Sequence, residues 1–236
     1  MFVSVIVLAA GKGERFRSAI PKPFVKLAGR PVIEYCLKTF SSLRDVRQVI
    51  CAVSPEGSCR LRRLVSRLRW PGCRIVPGGA RRQDSVRNAL RALDPRTDIV
   101  LIHDGVRPLV TRATVAAVIR EAARWGAAIA AVPAKATIKQ AVVKTGRARV
   151  KGTLRREELW EAQTPQGFRA DLIIKAYAGS RGSVTDDASL AERMGRTVAI
   201  VPGEYANIKI TTPEDLIIAE ALLRMHRDSP SDRTRI

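Results

Sequence analysis

The chain has 236 residues, 46% hydrophobic and 5% aromatic, and 42 Lys and Arg against 22 Asp and Glu give a formal net charge of +20. That length suits one domain with a sizeable core, and aromatics are too sparse for the stacking platforms of single-stranded nucleic-acid binders. No apolar run reaches the roughly 18 residues needed to span a bilayer, so neither nucleic acid nor membrane is an expected partner; a basic balance favours polyanions, and most of this charge is expected on solvated helix faces, a minority in motifs.

In chain order, Val3 opens a β-branched apolar run to Leu8. It reads as a strand buried on both faces, and without a basic segment before it as no signal peptide, so the cytoplasm is the expected location. The small residues Ala9-Ala10-Gly11-Lys12-Gly13 form a turn. A helix is predicted from Pro31 to Phe40 and a strand over Val46–Val53. Over 61–68, Leu61, Leu64, Val65 and Leu68 form a helical stripe that leaves Arg60, Arg62, Arg63, Arg67 and Arg69 to solvent. Arg74-Ile75-Val76 is a short strand closed by Pro77-Gly78-Gly79, and Asp84 or Ser85 is predicted to cap the next helix. A buried strand over 99–102 ends at His103-Asp104-Gly105, Thr111 opens a helix to Trp125, and 127–132 is again a strand. This alternation predicts an α/β fold, a mostly parallel sheet with helices on both faces.

Beyond Pro133 the rhythm breaks. Extended pieces at 134–138, 141–145 and 148–153 around Gly146 predict a protruding β-hairpin arm at about 134–153, a natural dimerisation element. Helices near 170–177 and 187–194, a strand at 197–201 and a helix over 213–226 complete a single domain of residues 1–226. The polar tail, 227–236, is expected to fray. The four cysteines show no metal-binding or paired framework. A Cys59–Cys73 bridge is conceivable, and a reducing compartment argues against it.

The glycine turn lies at the carboxyl end of the first strand, where open parallel sheets bind ligands. With Phe16 at the third glycine position it is no dinucleotide fingerprint, and it lacks the Gly-Lys-Ser/Thr ending of a Walker A loop. Gly11 and Gly13 let backbone N–H groups approach phosphate oxygens, and Arg15 and Lys22 bring positive charge. Attack on a nucleotide α-phosphate needs such groups, because charge builds on the non-bridging oxygens and on departing pyrophosphate.

Leu8-Ala9-Ala10-Gly11-x-Gly13-x-Arg15, followed by Pro21-Lys22-Pro23-Phe24, resembles the signature of the nucleotidyltransferase family that activates sugars with NTPs. Within it the chain, to about Leu223, is similar to the 2-C-methyl-D-erythritol 4-phosphate cytidylyltransferases. The resemblance implies a GT-A/Rossmann-like twisted sheet and condensation of CTP with a sugar-alcohol phosphate; a ribitol 5-phosphate acceptor is the alternative. The expected chemistry is in-line attack by the acceptor phosphate, with Mg²⁺ or another divalent cation bridging the triphosphate.

The match assigns Arg15, Lys22 and Lys209 to catalysis, Lys209 touching the α-phosphate or the acceptor phosphate. It places Ala9, Ala10, Gly11, Gly13, Gly79, Ser85, Asp104 and Gly105 around CTP, with the Gly78-Gly79-Ala80-Arg81-Arg82-Gln83-Asp84-Ser85 segment facing the cytosine. Asp104 contacts the acceptor hydroxyls or lies near the metal-triphosphate. Arg107, Thr137 and Arg156 fall on the acceptor side, Arg156 being preferred to Arg155 because it keeps register with Leu159-Trp160. Thr137 and Arg156 sit on or just after the arm, so a homodimer would donate them across its interface. Ala80 stands where some relatives are acidic, and Gly105-Val106 where many carry alanines. The Gln163-Thr164-Pro165-Gln166 run is expected to shape the pocket, and Thr185 to cap a helix with Asp186 and Asp187 in its first turn, a placement that needs no catalytic role.

Overall fold

The computed structural model of the chain describes residues 1–11, 16, 20–68, 72–180, 184 and 186–228. After β1 (Val3–Ala9) come a small ribbon, β2 (Lys26–Leu27) and β3 (Arg30–Pro31), then α1 (Val32–Ser41), β4 (Val46–Val53), α2 (Pro55–Arg67) and β5 (Cys73–Pro77). The series continues with α3 (Arg82–Leu90), β6 (Ile99–Asp104), α4 (Arg112–Trp125), β7 (Ala127–Pro133) and the hairpin β8 (Lys139–Lys144) and β9 (Arg147–Thr153). It closes with β10 (Trp160–Arg169), α5 (Ala170–Gly179), α6 (Ala188–Arg193), β11 (Ala199–Pro202) and α7 (Pro213–Asp228).

The main sheet has seven strands in the order β11-β7-β10-β6-β1-β4-β5. All pair in parallel except β10, which runs antiparallel to both β6 and β7. The central strands carry apolar side chains on both faces because helices cover both. Val5, Val7, Leu101 and Cys51 pack on one side with Ile33, Leu37 and Phe40 of α1, Leu61 and Leu64 of α2, and Val115 and Val118 of α4. Ile6, Ile50, Val100 and Ile102 pack on the other with Val86 of α3, Ile173 and Tyr177 of α5, and Leu190 of α6. A smaller cluster of Leu27, Val32, Val106, Ile210 and Ala219 seats α7 beside β2.

Local chemistry corrects several predicted boundaries. α2 begins at Pro55, because the Ser54 hydroxyl accepts the Gly57 N–H at 3.2 Å and proline suits the first helical position. α3 begins at Arg82 with Arg81 at its N-cap, so Asp84 and Ser85 lie inside its first turn. Residues 134–138 form no strand; the arm is the β8–β9 hairpin alone, closed by Thr145 and Gly146 at φ 48° and 75°, the left-handed pair that a two-residue hairpin turn requires. β10 was unforeseen as a strand; a register shift between Ala162 and Gln166 interrupts its pairing, and the Thr164–Pro165 peptide bond there is cis. All four cysteines are free: Cys59 is exposed, while the Cys73 sulfur lies 3.9 Å from that of Cys51. α7 runs to Asp228, and the tail beyond it, like Thr185, lies outside the described residues. Among the described residues no helix is long and apolar enough to cross a membrane.

Candidate active site

The carboxyl ends of β1 and β6 and the segment that follows β5 border a cavity of about 480 Å³. Its lining includes Ala9, Ala10 and Gly11 after β1, Lys22 and Pro23, and the α3 approach with Gly79, Ala80, Arg81, Arg82 and Ser85. Asp104 and Val106 after β6, and Lys209 before α7, complete it. The described lining holds four cationic side chains, Lys22, Arg81, Arg82 and Lys209, against one carboxylate, Asp104, a balance that suits a polyanion.

Each segment is fixed by its backbone. Lys22 opens a short 3-10 helix, Lys22–Phe24, held down by the buried Phe24 ring. Gly78 donates its N–H to the Val53 carbonyl at 2.8 Å, and Gly79 donates to the Ser85 hydroxyl at 2.9 Å. A Cβ on Gly78 would stand 2.0 Å from that of Ala10, so the glycine allows the loop before α3 to touch the turn after β1. Gly105 donates to the Leu8 carbonyl at 2.9 Å, and a Cβ there would meet that oxygen at 3.0 Å. The Ile210 N–H bonds the Val106 carbonyl at 2.9 Å, which brings Lys209 alongside the Asp104 turn.

Asp104 is the electrostatic centre. Lys209 Nζ lies 2.8 Å from its carboxylate, Arg82 Nε 3.5 Å and Arg107 Nε 3.9 Å. Burial would push this carboxyl up, and the three cations outweigh it, led by Lys209, holding it below the usual carboxylate range. His103, just before it, is fully buried; burial outweighs the Asp104 charge and lowers its pKa to about 4, so the ring is neutral near pH 7.

Arg82 and Asp187 escaped the sequence reading as functional residues. Arg82 Nη2 bonds Asp187 Oδ2 at 2.7 Å, and Asp187, wholly buried, accepts the Tyr177 hydroxyl at 2.5 Å. A carboxylate 105 residues away thus aims the Arg82 guanidinium at Asp104. Asp186 and Asp187 precede the first turn of α6 instead of lying in it: Asp187 is the N-cap residue, and Asp186 Oδ1 accepts the Ser189 N–H at 3.1 Å.

Of the residues expected at the site, Ala9, Ala10, Gly11, Lys22, Gly79, Ser85, Asp104 and Lys209 line one cavity. Gly105 lies behind it, and Arg107 turns inward, donating to the Asn207 carbonyl at 2.6 Å. Thr137 and Arg156 are exposed and do not line the cavity of this chain. Gly13 and Arg15 lie outside the described residues.

Comparison with known proteins agrees with this geometry. The family model of 2-C-methyl-D-erythritol 4-phosphate cytidylyltransferase matches residues 3–225. The chain is 47% identical over 232 residues to the protein of that name from Pelotomaculum thermopropionicum, covering 94% of each chain. It is also 47% identical over 224 residues to the bifunctional enzyme IspD/IspF of Desulforudis audaxviator, covering 92% of this chain and 56% of that protein. Among solved structures, 4-diphosphocytidyl-2C-methyl-D-erythritol synthase of Anaerococcus prevotii superposes with a TM-score of 0.83 at 34% identity, covering 94% of this chain and 96% of the other. The 2-C-methyl-D-erythritol 4-phosphate cytidylyltransferase of Thermus thermophilus does so at 0.76 and 36%, covering 95% and 100%. A match along almost the whole chain, joined to a cationic cavity at the expected sheet edge, places this chain in the 2-C-methyl-D-erythritol 4-phosphate cytidylyltransferase family.

Proposed function

We propose that the chain transfers the cytidylyl group of CTP to 2-C-methyl-D-erythritol 4-phosphate, giving 4-diphosphocytidyl-2-C-methyl-D-erythritol and pyrophosphate, a step toward isoprenoid precursors. The observation that carries this reading is the one cavity that Lys22 lines together with Arg82 and Lys209, both paired with Asp104, in a chain of this family. An acceptor phosphate oxygen attacks the α-phosphorus in line; a new P–O bond forms as the bond to the bridging oxygen breaks and pyrophosphate departs. Both reactants are anions, so the protein's work is to hold them together and offset their repulsion. Lys22, Lys209 and Arg15 balance the charge of the pentacoordinate centre and the leaving group. Ser85 and the Gly78-Gly79 loop frame the base.

Asp104 is the one carboxylate among the described lining residues, and no group of three or more His, Cys, Asp or Glu able to hold a metal occurs among the described residues. That donor set fits Mg²⁺ bound through a single carboxylate with the remaining ligands from phosphate oxygens and water. Asp104 would hold the ion, which when bound neutralises triphosphate charge.

The dimer proposed here is a cytoplasmic one: the arm supports the homodimer, and four free cysteines fit a reducing compartment. Val142, Val143 and Val150 are 43%, 69% and 66% exposed on a two-stranded hairpin, which is marginal without further packing. A second copy covering it would return Thr137 and Arg156 to an acceptor site. The test is pyrophosphate release from CTP and Mg²⁺ with methylerythritol 4-phosphate and, in parallel, ribitol 5-phosphate. Release with the first alone is expected; release with ribitol 5-phosphate alone would overturn the acceptor assignment while leaving the Lys22 chemistry.

A further inference from the structure

The last residue but one of β6, His103, carries a side chain that the transfer chemistry does not use. His103 Nε2 lies 3.2 Å from the Arg107 carbonyl and Nδ1 lies 3.1 Å from the Thr164 hydroxyl. A carbonyl has no proton to give, so Nε2 carries the hydrogen; the Thr164 oxygen already accepts from the Asp104 backbone, and the hydroxyl's own proton meets Nδ1 as its acceptor. Thr164 therefore donates its hydroxyl proton to His103, while its oxygen accepts the Asp104 N–H at 3.1 Å. Asn207 Nδ2 donates to the Thr164 carbonyl at 3.0 Å and to Gln163 Oε1 at 3.1 Å. Arg107 Nη1 donates to the Asn207 carbonyl at 2.6 Å, which returns the path to its start. The ring of bonds joins three segments distant in sequence, and its members His103, Thr164 and Asn207 are 0%, 4% and 1% exposed. The Phe40 ring, edge-on at 5.1 Å, packs against the imidazole.

We propose that His103 is a positioning residue for the transfer reaction: with Nε2–H donating to the Arg107 carbonyl and Nδ1 accepting from Thr164, it closes a buried circuit, His103–Thr164–Asn207–Arg107, that fixes Asp104 against Lys209. Asp104 hangs on this circuit through its backbone N–H, and Lys209 follows Asn207 by two residues. The opposite tautomer would set an imidazole lone pair against the Arg107 carbonyl and leave the Thr164 proton without its acceptor. Apolar packing alone would not specify this arrangement, because hydrogen bonds of fixed direction admit one register of the three segments. The kinetic consequence rests on the cytidylyltransferase reading; the tautomer does not.

The chain has two histidines, His103 and His226, so ¹⁵N-histidine NMR of the whole protein resolves both, with His226→Gln for assignment. The expected spectrum shows His103 as a single Nε2–H tautomer; an Nδ1–H form or an exchanging mixture would overturn the circuit. Thr164→Val removes the hydroxyl and keeps the shape. It is expected to lower kcat per folded site by roughly 10- to 100-fold, the scale seen when outer-shell partners are lost. The KM for CTP should stay within about threefold, since Ser85 and the glycine loop hold the base independently. Thr164→Ser should restore most of the loss. A purely structural role would lower melting temperature and folded fraction with kcat per folded site intact, and that result refutes the proposal. If the parent enzyme proves inactive with CTP and methylerythritol 4-phosphate, the functional reading fails while the tautomer still decides the circuit.

Discussion

Replacing Asp187 by Asn isolates the buried contact that aims Arg82 into the cavity. The carboxylate is fully buried and bonds both Arg82, at 2.7 Å, and Tyr177, at 2.5 Å. Tyr177 stays a phenol, because burial and then the Asp187 charge push its pKa up. The amide preserves volume and an acceptor for Tyr177 but removes the charge opposite Arg82, whose remaining anion is Asp104 at 3.5 Å. Breaking one side of a buried ion pair costs about 3–5 kcal/mol, and the retained acceptor favours the lower end. For a chain of this length about 3 kcal/mol corresponds to a loss of roughly 6–12 °C in melting temperature. Arg82→Met supplies the second arm of the cycle. In that background Asp187 is itself an uncompensated buried charge, so Asp187→Asn should cost less than about 1 kcal/mol. Urea denaturation of the four proteins measures the coupling directly. Equal losses in both backgrounds would show that Asp187 acts through Tyr177 alone and that the Arg82 contact contributes nothing.

Three further outcomes follow from the same geometry. Lys22→Ala should lower kcat for pyrophosphate release by roughly 10²–10³-fold, the scale of a lost transition-state donor, and unchanged turnover would remove Lys22 from catalysis. Gly78→Ala puts a methyl 2.0 Å from Ala10 Cβ; overpacking of about 1–3 kcal/mol should displace the loop and weaken CTP binding at least about tenfold by calorimetry, whereas wild-type affinity would mean the loop yields freely. His103 predicts a pH slope in the ligand-free protein. Its folded pKa, about 4, lies below the ordinary 6.5, so the unfolded chain binds the proton first as pH falls. Its contribution is complete above about pH 6.5 and is lost between there and pH 4, amounting to about 3 kcal/mol. Denaturation of parent and His103→Gln across this range should show the difference shrinking as pH falls, and a constant difference would contradict the assignment.

The central sheet was legible because its strands carry their own signal. Val5–Ala9 and Ile99–Ile102, within β1 and β6, are continuous apolar runs that end at the turns bordering the cavity. The same reading brought Lys22, Asp104 and Lys209 to one cavity from three separate motifs. It failed where tertiary contacts decide. Trp160–Arg169 has neither alternation nor a β-branched run and carries Pro165, yet it becomes a central antiparallel strand because β6 and β7 leave a gap that it fills. The start of α2 was signalled by Ser54-Pro55, which precede the apolar stripe by a turn and a half. Arg82 and Asp187 had no local signature, since each is ordinary at a helix start and only folding joins them.

The direction of β10 also governs how this fold can change over evolutionary time. Because β10 runs against β7, the chain leaves the sheet at Pro133 and re-enters opposite it at Trp160, the two residues being partners in the ladder. Everything between them is an excursion with a fixed doorway. Adding or deleting matched residue pairs in β8 and β9 alters the reach of the arm without shifting any register in the main sheet, and the closure entropy grows only slowly with the length enclosed. The reach of the arm and the chemistry at the sheet edge can therefore drift separately, and a graft of another hairpin in place of β8 and β9 should leave the pocket's framework standing.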